Sequence, residues 1–224
     1  MKGMDNDRPL LRPLHLLPLD VEHLLFIPFN PAGPGLFAGS RRLPCLGASC
    51  HLFPELAVIT GFVGYPHLFL LMTMIPDLDK LPVTFLGIAG QLGEADLSPR
   101  LYRVSKVWPS AGFLSWEGPS PVTLPLAQYP GPDENPPVVQ AVSVDSIHRE
   151  TSGWLQTQLD KGPRCVEMEL FPLAHRLSHP PTAYLVTSDL VTPRGVIPFP
   201  SAALRRTFEE AYSRVLARIG SSRS

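Results

Sequence analysis

Most apolar residues of this chain fall in short runs closed by proline, glycine or asparagine. Leu24–Phe29 (LLFIPF) stops at Asn30-Pro31, Leu56–Phe62 (LAVITGF) closes on a glycine, and Val83–Gly90 (VTFLGIAG) runs into a glycine-rich turn. Runs this short and apolar on both faces predict buried strands. VVQAVSVD from Val138, CVEMEL from Cys165 and AYLVTSD from Ala183 predict three more. Leu101–Trp108 alternates apolar and polar residues, which predicts a partly exposed strand. Other segments carry a helical period. His67–Ile75 is apolar nearly all round, with Pro66 placed for a first turn. TSGWLQTQLD offers Thr151 or Ser152 as a cap, and LFPLAHRLS tolerates Pro172 only in its first turn. Leu204, Phe208, Ala211, Tyr212, Val215, Leu216 and Ile219 recur at helical spacing and predict an amphipathic helix lying on a sheet. Strands alternating with helices predict one α/β domain over residues 21–224, a central mixed sheet flanked by helices. Residues 1–20 are expected to form a loosely attached arm. No internal repeat is visible.

Composition narrows the class. A chain of 224 residues can bury roughly 70% of its unfolded surface. A net charge of −1 gives no electrostatic drive toward nucleic acid or an anionic membrane. Three cysteines, an odd number, fit a reducing compartment better than a disulfide framework. Cys45 and Cys50 lack a second pair to complete a zinc site, so no metal is expected. No apolar run approaches ~18 residues and no leader pattern opens the chain, which predicts a soluble, cytoplasmic protein. The 27 prolines cluster between the apolar runs, as rigid loop punctuation.

In α/β folds ligands sit at the carboxyl ends of strands, so the residues placed there matter most. The strand ends present Thr60-Gly61, then Gly87, Ala89, Gly90 and Gly93, then Ser143, Asp145 and Ser146, then Met168-Glu169, and finally Ser188-Asp189. The glycine spacing is not G-x-G-x-x-G, and neither a phosphate-cradling P-loop nor a G-x-S-x-G elbow occurs, so no nucleotide cofactor is expected. On the residues alone, Glu169 could open the helix LFPLAHRLS at its positive end. Asp189 could cap a turn before Pro193, and Met168 could be core filler. Glu167 should point away from Met168 and carries no assigned role.

Taken in order, TGFVG, FLGIAGQLG, SVDS, VEMEL and TSDL resemble the purine nucleoside phosphorylase and nucleosidase superfamily. The likeness is nearest to the methylthioadenosine/S-adenosylhomocysteine nucleosidases and runs from about Leu56 to Leu190. It implies a nucleoside phosphorylase-like fold, no cofactor, and cleavage of the N-glycosidic bond of a purine-type nucleoside. It places Met168 against the ribose, Glu169 on the ribose hydroxyls, and Asp189, with Ser188 beside it, as the acid that protonates the leaving purine at N7. Thr60 and Gly90 fall in the substrate-facing turns. Ile147 stands where nucleosidases stack an aromatic ring on the base. The chemistry is coherent: breaking the C–N bond builds oxocarbenium character, which a carboxylate stabilises, and a positioned acid is worth roughly 10²–10⁴ in rate. The resemblance also implies a nucleoside ligand with phosphate as a possible second substrate, and a homo-oligomer, a dimer first, with the apolar helix at His67–Ile75 as interface or core.

Two departures stand out. Nucleosidases carry a water-activating glutamate just after the first strand, yet LLFIPFNPAGPG has no acid before Glu55. Phosphorylases place an arginine before the glycine turn, where Phe85-Leu86 stand here, leaving only Arg41 and Arg42 as candidates. The short span between the first strand and LAVITG predicts that a helix and a hairpin are trimmed. Hydrolysis is therefore preferred over phosphorolysis. The alternatives are a non-catalytic nucleoside-binding relative that has lost the nucleophile-activating residues, and an unrelated α/β protein.

Overall fold

A computed structural model describes residues 20–31, 35–45, 47–75, 77–93, 98–110, 120–126, 135–145 and 151–221, without the side chains of Pro44 and Cys45. The predicted arm, apart from Asp20, lies outside the described residues. Strand β1 (His23–Ile27) leads into a hairpin of β2 (Arg41–Cys45) and β3 (Ala48–Phe53), followed by β4 (Leu56–Thr60) and helix α1 (Gly64–Thr73). After a 3-10 turn at Leu78–Lys80 come β5 (Val83–Leu92), β6 (Leu101–Pro109), the two-residue β7 (Val122–Thr123) and β8 (Val138–Ser143). Helix α2 (Ser152–Lys161), β9 (Cys165–Glu167) and α3 (Leu170–Arg176) lead to β10 (Thr182–Thr192), β11 (Gly195–Pro198) and the long α4 (Ser201–Ser221).

All the strands belong to one mixed sheet that folds on itself. β1 lies parallel between β4 and β5, and the β2–β3 hairpin extends that side antiparallel to β4. β5 is long enough to serve two partners. Its first residues pair with β1, while Gly90 and Gln91 pair antiparallel with β9. β10 runs parallel to β5, β6 pairs β10, β8 pairs β6 and β9 pairs β8. The strands β5, β10, β6, β8 and β9 thus close a ring, which brings the ends of β5, β9 and β10 together.

Alternation along the strands divides the core. Leu24 and Phe26 of β1 face α1 and α3, in a cluster with Phe62, Leu71 and Phe171. Leu25 and Ile27 face the other way, against Phe208, Tyr212 and Val215 of α4. The helical spacing read at the C-terminus is therefore the buried stripe of α4, each large side chain contributing about 1.5–3 kcal/mol. Thr151 caps α2 as expected, its side chain accepting from Trp154 N.

Three expectations are corrected. The hairpin between β1 and β4 is present rather than trimmed; its Arg41-Arg42 and proline content obscured a strand that Pro44 can enter at the sheet edge. The glycines after Phe85 do not form a turn, because β5 continues through Gly87 and Gly90 to Leu92. CVEMEL is a strand only as far as Glu167, after which the chain bends at Met168-Glu169 into α3. No helix of the described residues is long and apolar enough to cross a membrane.

Candidate active site

The site is built around Gly90, which pairs with Val166 of β9 on one side and Asp189 of β10 on the other. A Cβ at this position would lie 2.8 Å from Asp189 Oδ1, 2.8 Å from Val191 Cγ2 and 3.0 Å from Val166 Cγ1. Only glycine lets three strands approach this closely. Opposite it, β10 carries a bulge: Thr187 pairs with Ala89 and Asp189 with Gly90, leaving Ser188 as the extra residue. Bulges re-aim side chains, and this one turns both Ser188 and Asp189 to the cavity. The Ser188 hydroxyl lies 2.5 Å from Asp189 Oδ2 and 3.3 Å from the Ala89 carbonyl. Phe199 N donates to the Ser188 carbonyl at 2.9 Å, pinning the bulge to the segment before α4.

The bend after β9 supplies the other half. Glu167 is buried and holds the first turn of α3, accepting from Glu169 N and Leu170 N, each at 2.6 Å, through Oε2. The Ser143 hydroxyl donates to its other oxygen and itself accepts from Phe171 N at 2.8 Å. Burial, reinforced by the charge of Glu169, pushes the Glu167 carboxyl up to about 8. Glu169 makes no side-chain cap on α3; its Oε1 instead accepts from Gly64 N, the first residue of α1, at 2.8 Å. Burial pushes it up to about 6, partly offset by the N–H donors of Gly64 and Met168.

These groups line one cavity of about 600 Å³. Gly90, Met168, Glu169, Ser188 and Asp189, singled out from separate stretches of sequence, all border it. Its remaining walls are mostly apolar, with Phe29, Val63, Ile88, Val166 and Val196 among them. None of the described residues lining it is Lys, Arg or His. Phe29 and Ile88 also border a second hollow of about 420 Å³ beside Leu204 and Phe208 of α4. Among the described residues no three His, Cys, Asp or Glu side chains are arranged to hold a metal ion.

Thr60 does not line the cavity. It is buried at the end of β4, its hydroxyl donating to Asn30 Oδ1 at 3.3 Å. Ile147 lies outside the described residues. Arg41 and Arg42 sit on β2, away from the cavity lining, and Arg42 donates to Ser49 Oγ at 3.2 and 2.8 Å. Sequence reasoning missed the buried Ser143–Glu167 pair, which only the parallel register of β8 with β9 brings together. It also missed the β10–β11 hairpin, whose Thr192, Gly195 and Val196 form one wall. The Thr192-Pro193-Arg194-Gly195 tetrad was its available signal, with proline where a turn prefers it.

No family model and no curated protein matches the chain. Solved structures do, at low identity. A 5′-methylthioadenosine/S-adenosylhomocysteine nucleosidase from Helicobacter pylori matches with a TM-score of 0.69 and 14% identity, over 90% of this chain and 99% of its own. A futalosine hydrolase mutant from Helicobacter pylori matches at 0.62 and 13%, over 90% and 100%. A uridine phosphorylase from Schistosoma mansoni, in complex with thymine, matches at 0.59 and 12%, over 88% and 86%. The chain has the fold of the nucleoside phosphorylase and nucleosidase superfamily, to which these neighbours belong.

Proposed function

We propose that this chain hydrolyses the N-glycosidic bond of a purine-type nucleoside. The observation that carries this reading is the single cavity shared by Met168-Glu169 and Ser188-Asp189 on either side of Gly90. Met168 packs beside the ribose, and Glu169 accepts from its hydroxyls. Asp189, oriented by Ser188, gives its proton to N7 of the purine. The C1′–N bond breaks with its electron pair going to the base, and water forms the new C1′–O bond. The Glu169 carboxylate favours the positive charge that develops on the sugar. The hollow beside α4 leaves room for a substituent on the ribose.

The charge of the cavity supports water over phosphate as the acceptor. Glu169 borders it as a carboxylate and no described cation does, so a phosphate dianion would find like charge and no counter-charge there. One observation favours a second reading, a nucleoside-binding protein without turnover: the end of β1 contributes Pro28 and Phe29 to the cavity, not a carboxylate. A homodimer belongs to the same proposal, supported by the exposed apolar side chains Val63, Phe69 and Leu70 at and just before α1.

The test is base release from adenosine, inosine and 5′-methylthioadenosine, followed by chromatography with and without phosphate. Release that needs no phosphate supports hydrolysis. Release only with phosphate makes the chain a phosphorylase, and nucleoside binding without release selects the second reading.

A further inference from the structure

We propose that Glu169 is the general base that takes the proton from the attacking water, facing Asp189 as the acid. This rests on the hydrolytic reading above. Hydrolysis needs two proton transfers: the departing base gains one from Asp189, and the water that bonds to C1′ must lose one to an acceptor in the cavity. The end of β1 offers none, since Pro28 and Phe29 stand there. Three carboxylates border the cavity, and they are not equivalent. Glu167 is spent on structure, with both oxygens accepting from Ser143, Glu169 N and Leu170 N. Asp189 is committed to the leaving group, one oxygen held by Ser188. Glu169 remains. It borders the cavity, and the Gly64 N–H at the start of α1 fixes its orientation. Its carboxyl, pushed up to about 6 by burial, is ionised at neutral pH while still basic enough to accept a proton. Glu169 thereby combines holding the ribose with activating water, which compensates for the missing acid after β1.

The experiment compares wild type with Glu169→Gln on 5′-methylthioadenosine, adenosine and inosine, across pH and with added azide. Glutamine keeps an oxygen for the Gly64 N–H and for the ribose but cannot act as the base. The expected result is a kcat loss of roughly 10²–10⁴ with KM nearly unchanged. The acid limb of the wild-type rate profile, near pH 6, should vanish in the variant. Azide attacks C1′ without needing deprotonation and should restore base release, yielding the 1-azido sugar. A role confined to holding ribose, which glutamine can still fill, would instead leave kcat nearly unchanged, keep the acid limb and leave azide without effect; that outcome overturns the proposal. Should Glu169→Gln fail to fold, Glu169→Asp decides: a shortened base should lower kcat roughly tenfold or more with the acid limb kept, and an unchanged kcat overturns the role. Wild type that releases no base overturns the hydrolytic reading itself, whereas active wild type with an unimpaired Glu169→Gln overturns only this inference.

Discussion

Gly90 leaves no room for a side chain at the centre of the site. Gly90→Ala forces a methyl group against Asp189, Val191 and Val166, none more than 3.0 Å away. Overpacking of this kind costs about 1–3 kcal/mol, and a shift of about 1 Å in the proposed acid, Asp189, would cost about 10² in rate. Thermal melts and base-release rates should therefore both fall in this variant. Glu167 and Glu169 set a pH signature of their own. Their carboxyls are raised from 4.5 to about 8 and about 6, so the folded chain binds more protons than the unfolded chain across that range. Their contribution to stability is greatest below 4.5 and declines as pH rises to about 8. Denaturation measured across this window should show that decline, and Glu167→Gln should flatten its upper part. Stability that rises through the same window in wild type, without flattening in the variant, would contradict the burial of these carboxyls.

At the scale of elements, the start of α3 does most to place Met168 and Glu169. Ser143→Ala removes the donor to Glu167 and the acceptor for Phe171 N. Buried groups left unpaired cost about 1–3 kcal/mol, and activity should fall with stability. Thr151→Ala is the contrast: it removes an exposed cap on α2, costs about 1 kcal/mol and should leave activity unchanged. The elements that local pattern specifies were legible in the sequence. β1 and β4 are continuous apolar runs, and α4 repeats its apolar residues at helical spacing. Motif order along the chain singled out Met168-Glu169 and Ser188-Asp189, and the structure brings both pairs to one cavity. Features set by register were not. The bulge that aims Asp189 depends on β5, and the Ser143–Glu167 pair depends on β8 lying against β9. Thr60 illustrates the same limit: it sits at a strand end, but that end points at Asn30 rather than into the cavity.

For the whole molecule, closure of β5, β10, β6, β8 and β9 into a ring is what gathers distant stretches of chain into one site. The proposed dimer would use the exposed apolar side chains at α1. Val63 is 66% exposed and also borders the cavity, so a second copy seated on Phe69 and Leu70 would lie next to its mouth. Sedimentation should report a dimer, and Leu70→Glu should convert it to a monomer; a wild-type monomer would remove the dimer from the proposal. The most direct measurement is base release from 5′-methylthioadenosine, adenosine and inosine in phosphate-free buffer, by wild type and by Asp189→Asn. Hydrolysis at this cavity predicts release by wild type and a loss of roughly 10²–10⁴ in the variant. A folded wild type that releases no base, or a variant that releases it equally fast, would contradict it.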